Sequence, residues 1–93
     1  MTNSEVKIGI VGAGTMGAGI AQISAQAGFE TLLYDVSQEL VDKGLGRIRT
    51  FLQRSRERGK ITAEEEKQTL ARLVASLKLE DFKHSTLVIE AVP

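Results

Sequence analysis

The spacing of apolar residues changes several times along the chain, and each change predicts an element. VKIGIV (Val6 to Val11) is a β-branched run that ends in glycines, which predicts a buried strand. Met16, Ile20, Ile23 and Ala27 then recur at i, i+4, i+7 and i+11, the spacing of one helical face, and Gly28 takes the position just past a helix end. ETLLYDV (Glu30 to Val36) predicts a second strand. From Ser37 the pattern is helical again, with Val41, Leu45, Ile48 and Leu52 on one stripe that Leu40 and Phe51 widen. RSRERGK closes that helix with Gly59 and with cations at the negative end of its dipole. Thr62 and Glu65 have capping-box spacing, so another helix starts there and is expected to carry Leu70, Leu73 and Val74 inward. VASLKL is a candidate short third strand, and STLVIEAVP (Ser85 to Pro93) reads as a buried one.

The order is therefore strand, glycine-rich turn, helix, strand, helical hairpin, strand, strand. The excursion between the second and third strands approaches 40 residues, more than one crossover helix needs. A parallel sheet has both faces covered, yet nothing here follows the last strand to cover it. Residues 1–93 are thus expected to be the N-terminal part of a larger domain.

Composition narrows the function classes. The 93 residues are 42% hydrophobic, with twelve basic and twelve acidic side chains, which suits one small domain. Zero formal charge argues against nonspecific binding to nucleic acid or to an anionic membrane. With no cysteine there is no disulfide framework and no thiolate metal site, and no metal-ligand pattern takes its place. No apolar run approaches the roughly 20 residues that span a bilayer, and MTNSEVKIGIV lacks the layout of a signal peptide. A soluble cytoplasmic protein is expected.

Gly12-Ala13-Gly14-Thr15-Met16-Gly17 fits G-x-G-x-x-G. The pattern alone is weak, but here it follows a strand, opens a helix, and precedes Asp35 by 18 residues from Gly17. Those are the surroundings of a dinucleotide-binding turn. Gly12 permits the tight turn, Gly14 lets the backbone approach a pyrophosphate, and Gly17 allows helix and strand to pack closely. Thr15 and Met16 contribute backbone N–H groups at the helix N-terminus, where an anion is favoured. Gly9 and Gly19 are assigned to close strand and helix packing. Asp35 suits the ribose hydroxyls. Its carboxylate repels a 2′-phosphate, and Val36 and Ser37 offer no guanidinium to hold one, so NAD is favoured over NADP.

The remaining chemistry-bearing residues are less informative. His84, the only histidine, precedes the last strand, at the sheet edge opposite to where α/β sheets bind ligands, and reads as a surface residue. Glu90 lies toward the carboxyl end of that strand, where it faces the cofactor or anchors the next loop. Arg47, Arg49, Arg54, Arg56, Arg58 and Lys60 form a solvated helix face or meet an anionic ligand. Gly44 to Gly46 read as a close helix contact. No residue of this chain is assigned a catalytic role.

IGIVGAGTMGAGIAQ, LYD, RGKIT and LVIEAVP together resemble the NAD-binding N-terminal portion of the 3-hydroxyacyl-CoA dehydrogenase family, in particular bacterial 3-hydroxybutyryl-CoA dehydrogenases of fatty acid metabolism. The resemblance runs from Val6 to Pro93. It implies an α/β fold, specifically a partial Rossmann (doubly wound) fold with parallel strands in order 3-2-1-4 and a helical hairpin between strands 2 and 3. Interconversion of (S)-3-hydroxyacyl-CoA and 3-ketoacyl-CoA with NAD is also implied, through a histidine and a glutamate that lie after the VIEAV strand in the family. The implied partners are an acyl-CoA, approached by the hairpin, and a second subunit bound through a helical C-terminal domain. Cofactor contacts carry over to Gly12, Gly14, Thr15, Met16, Gly17, Asp35, Ala91 and Val92, and Glu90 is added to them as a candidate by its place on the last strand. The last strand, at an open edge, is expected to promote self-association. Two other readings use the same turn: a noncatalytic dinucleotide-sensing module, and a dehydrogenase of free hydroxyacids.

Overall fold

The computed structural model describes residues 6–92. Four parallel strands, β1 (Lys7–Val11), β2 (Glu30–Tyr34), β3 (Leu73–Ser76) and β4 (Leu87–Glu90), lie in the order β3-β2-β1-β4. This is the expected 3-2-1-4 arrangement. Helix α1 (Thr15–Gln26) joins β1 to β2, and the hairpin α2 (Gln38–Glu57) and α3 (Ala63–Ala71) joins β2 to β3. A 3-10 helix, Leu79–His84, leads from β3 to β4.

The hairpin helices carry their own start signals. Ser37 Oγ accepts from Leu40 N–H at 3.3 Å to open α2. Thr62 Oγ1 accepts from Glu65 N–H at 3.0 Å, and Glu65 Oε1 accepts from Thr62 N–H at 2.9 Å, completing the box that opens α3. An Arg56–Glu66 ion pair, with Nε to Oε1 at 2.5 Å, joins the two helices.

The core lies between the sheet and the helices: Ile8 and Ile10 of β1, Leu33 of β2, Ala18 and Ala21 of α1, and Ile48 and Leu52 of α2. Strand register explains the sidedness. Ile8 and Ile10 align with Thr31 and Leu33 on β2 and with Leu87 and Ile89 on β4, so these positions share one face. On the opposite face Phe82 of the 3-10 helix meets Tyr34 edge-on, with ring centroids 5.9 Å apart. It also covers Gly9, where an added Cβ would stand 3.0 Å from Ser85 Oγ and 3.2 Å from the Phe82 ring. Gly9 therefore has the close-packing role expected of it.

Several expectations need correction. The stripe Met16, Ile20, Ile23, Ala27 is not the packing face of α1. Met16 is 58% and Ile23 67% exposed, whereas Gly17, Ala18, Ala21 and Ala25 are buried. Its buried face is made of small residues, and at Gly17 the helix comes so near the end of β1 that a Cβ would run into Gly12. Gly19 has open space around its Cβ position, so close packing does not explain it. Leu40 and Phe51 are exposed and do not widen the buried stripe of α2. Leu73 and Val74 belong to β3, because α3 ends at Ala71 with Arg72 as its C-cap. The second strand stops at Tyr34, leaving Asp35 and Val36 beyond it. The last strand is shorter than Ser85 to Pro93, and Pro93 lies outside the described residues. Nor is it buried: Leu87 is 52% exposed, since no described helix covers that edge.

Candidate functional site

The carboxyl ends of β1, β2 and β4 point to one side of the molecule. β2 and β3 continue from β1 in one direction and β4 lies in the other, so the chain reverses its order at β1. Such a reversal opens a crevice above the strand ends. Here it is a cleft of about 440 Å³ lined by Gly12, Gly14, Thr15, Met16, Asp35, Leu40, Ala91 and Val92.

Three glycines shape its floor for different reasons. Gly12 has φ +111°, and an added Cβ would stand 3.0 Å from both Ala91 O and Val92 Cγ1. A Cβ on Gly17 would run into the carbonyl oxygen of Gly12. Gly14 is different: its φ is −70°, and beyond its chain neighbours and the adjoining helix backbone nothing lies within 4 Å of its Cβ position. Nothing inside the protein requires glycine there, so the clearance is on the ligand side.

Gly14 is also the N-cap of α1, and it offers no side-chain oxygen. The first turn of α1 has no acidic residue either. In contrast to α2 and α3, this helix leaves its first-turn N–H groups and the positive end of its dipole facing the cleft. An anionic group is what such an end accepts.

Asp35 stands beside the turn. Its Oδ2 accepts from Ala13 N–H at 2.8 Å and its Oδ1 from Val36 N–H at 2.7 Å. Each carboxylate oxygen retains a lone pair for a hydroxyl donor. Val36, the next side chain, is apolar and 78% exposed, so no cation stands next to the carboxylate along the chain. At the other wall, Ala91 N–H donates to Val11 O at 2.8 Å and fixes the chain after β4 against the turn.

Of the nine residues assigned to cofactor contact, seven line the cleft: Gly12, Gly14, Thr15, Met16, Asp35, Ala91 and Val92. Gly17 lies beneath it, buried in the first turn of α1. Glu90 is exposed at the end of β4 and is not part of the lining. Leu40 was missed. It sits in the first turn of α2, and only the fold brings it over Asp35; as an exposed apolar residue facing a cleft it suits a flat aromatic ring. His84 is exposed at the opposite end of the strands. There it borders a separate cavity of about 240 Å³ together with Lys7, Glu30 and Asp81. Among the described residues no cluster of His, Cys, Asp and Glu could hold a metal ion, and no helix is long and apolar enough to cross a membrane.

A second surface lies on α2, where Gly46, Arg47, Thr50, Phe51 and Arg54 line an open groove of about 370 Å³. Arg47 and Arg54 share that lining with the exposed Phe51. The close helix contact expected of Gly44 to Gly46 holds only in part: a Cβ on Gly44 would stand 2.7 Å from Ala13 O and 3.3 Å from Leu33, so α2 packs there on the turn and on β2 rather than on another helix, whereas Gly46 has open space around its Cβ position.

The sequence model described as "3-hydroxyacyl-CoA dehydrogenase, NAD binding domain" matches residues 7–93. A Bacillus subtilis protein named "Probable 3-hydroxybutyryl-CoA dehydrogenase" is 45% identical over 89 residues, which are 95% of this chain and 31% of that protein. The 3-hydroxybutyryl-CoA dehydrogenase of Mycobacterium tuberculosis is 39% identical over 92 residues, 99% of this chain and 32% of that one. The crystal structure of (S)-3-hydroxybutyryl-CoA dehydrogenase from Ralstonia eutropha superposes with a TM-score of 0.91 at 39% identity, covering 94% of this chain and 31% of that one. The chain thus spans about a third of the length of these two curated relatives.

Proposed function

Because the chain belongs to the 3-hydroxyacyl-CoA dehydrogenase family, as its NAD-binding domain, we propose that it serves an enzyme that interconverts (S)-3-hydroxyacyl-CoA and 3-ketoacyl-CoA. The substrate in this reading is 3-hydroxybutyryl-CoA, the acyl-CoA named in the relatives above. The observation that carries the cofactor assignment is Gly14: an uncapped helix start with empty space over its Cβ position. The turn from Gly12 to Gly17 holds the pyrophosphate through backbone N–H groups, and Asp35 accepts from the ribose hydroxyls. Leu40, Ala91 and Val92 supply apolar walls. When bound, NAD accepts or donates the hydride. The carboxylate at Asp35 disfavours NADP, whose 2′-phosphate would meet like charge.

The groove on α2 is the proposed approach for the acyl-CoA. Arg47 and Arg54 offer guanidinium groups to its phosphates, and Phe51 offers a ring face for stacking. Among the described residues no histidine lines the cleft; His84, the only one in the sequence, is at the far end of the strands. In this reading the chain alone binds cofactor without turnover, and the protein that contains it is cytoplasmic and dimeric.

Calorimetric titration with NAD and NADP tests the assignment. NAD is expected to bind at least tenfold more tightly than NADP, and equal affinity would remove Asp35 from the ribose site. Oxidation of NADH by acetoacetyl-CoA in the presence of the 93-residue chain alone would refute the division of labour.

A further inference from the structure

Ala13 is the residue between the first two glycines of the turn, and both polar atoms of its backbone are engaged by side chains from outside it. Its N–H donates to Asp35 Oδ2 at 2.8 Å, and its carbonyl oxygen accepts from Arg47 Nη1 at 3.5 Å. Ala13 is only 2% exposed. Gly44 lies against it so closely that a Cβ would fall 2.7 Å from the same carbonyl oxygen and 3.0 Å from Ala13 Cβ. The end of β2 and one face of α2 thus converge on a single residue. Its orientation sets where the following N–H groups point. A glycine-rich turn left alone would sample many conformations, and ordering it would weaken any ligand it binds.

We infer that Asp35, Arg47 and Gly44 form a clamp on Ala13 that holds the turn in its binding conformation before a dinucleotide arrives. The consequence for affinity rests on the cofactor reading given above; the clamp itself does not. Asp35 then has two tasks, since the oxygens that hold Ala13 and Val36 keep lone pairs for a ligand. Arg47 and Gly44 are positioning residues that act through Ala13. The contributions are unequal. The Asp35 bond is short and charge-assisted, whereas the Arg47 contact is at the long limit of a hydrogen bond. The clamp also links two surfaces, because Arg47 lines the groove on α2 as well. A displacement of α2 is therefore felt at the turn.

The test compares backbone amide exchange in the ligand-free 93-residue chain with its Asp35→Ala, Asp35→Asn, Arg47→Ala and Arg47→Lys variants. Asp35→Ala is expected to speed exchange at Ala13 on the order of ten- to a hundredfold relative to amides in β1, the range for losing a hydrogen bond to a charged group. Asp35→Asn, which keeps one acceptor oxygen, falls between. It remains informative if the alanine variant does not fold. Arg47→Ala speeds exchange across residues 13–17 by about two- to fivefold, and Arg47→Lys restores part of the protection. NAD titration then reads the positioning role. Arg47→Ala weakens binding severalfold by the same factor at low and high salt, whereas a loss confined to low salt would mean direct contact with phosphate and would overturn it. Unchanged exchange at Ala13 in both Asp35 variants would overturn the clamp. Failure of the parent chain to bind NAD would sink the cofactor reading instead, and the exchange result would still decide on the clamp.

Discussion

Replacing Gly17 with Ala would drive a methyl group into the carbonyl oxygen of Gly12 and bring it within 2.8 Å of the carbonyl carbon. Both are backbone atoms at the end of β1, so no rotamer change relieves the contact. Helix and strand must separate. Overpacking of this kind costs about 1–3 kcal/mol and occasionally more. The better helix propensity of alanine returns up to about 1 kcal/mol, which leaves a net loss of about 2 kcal/mol for a clash at the severe end. For a domain of this size that is a fall of about 8–16 °C in melting temperature. The same substitution at Gly19, in the same helix but with open space around it, should stabilise by about 0.5–1 kcal/mol. At Gly14, where φ is −70° and no protein atom is near, the stability change stays within about 1 kcal/mol, the cost of alanine as an N-cap. The added methyl group there would occupy the clearance that the proposed site keeps for the pyrophosphate. A steric cost of about 1–3 kcal/mol in the complex is a loss of about 5- to 150-fold in NAD affinity. Thermal melts followed by circular dichroism, with NAD titration of the same samples, check all three. A Gly17→Ala chain that melts within about 2 °C of the parent would refute the packing argument, and a Gly14→Ala chain that binds NAD normally would refute the cradle.

Other perturbations separate local from global contributions. Thr62→Ala removes the capping box that opens α3 and should cost about 1 kcal/mol in a denaturant melt, with Thr62→Ser restoring most of it. Leu33→Ala truncates a side chain that is fully buried between sheet and helices. The expected cost of about 2–5 kcal/mol would leave a chain this small largely unfolded by heteronuclear NMR. Asp35→Ala should weaken NAD binding and also lower the melting temperature, because two backbone N–H groups lose their acceptor; an unchanged melt would show that water replaces the carboxylate. In the 93-residue chain β4 is an edge strand with Leu87 and Val88 exposed, so sedimentation at rising concentration should show self-association that Val88→Lys reduces.

The parts of the fold and of the candidate site that were legible in the sequence are those whose residues carry their own local physics. Glycines at fixed offsets between a strand and a helix, and Thr62 with Glu65, act within a few residues of where they stand. The α2 stripe of Val41, Ile48 and Leu52 was legible for the same reason, since large apolar side chains at helical spacing bury themselves wherever there is depth to fill. The facing of α1 was not legible, and the reason is distance rather than polarity. A helix that starts at a glycine cradle is drawn so near β1 that alanines fill the interface and Met16 and Ile23 are left outside. Size, not hydrophobicity, selects the inward face.

That proximity and the binding site are one arrangement seen from two sides. Gly17 and the alanines let α1 approach β1, which brings its free N–H groups to the cleft; Gly44 lets α2 approach Ala13 from the other side. The hydrogen bond from Ala13 to Asp35 spans 22 residues. No local pattern announces it, so Asp35 could be read from the sequence as a ligand group but not as a support for the turn. Leu40 escaped for the same reason. Its role depends on where Ser37 starts α2 in space, a consequence of how α2 packs on Ala13. In this domain the glycines of the turn are marked by local spacing, whereas Leu40 at the cleft and the support that Asp35 and Gly44 give to Ala13 are marked only by the fold.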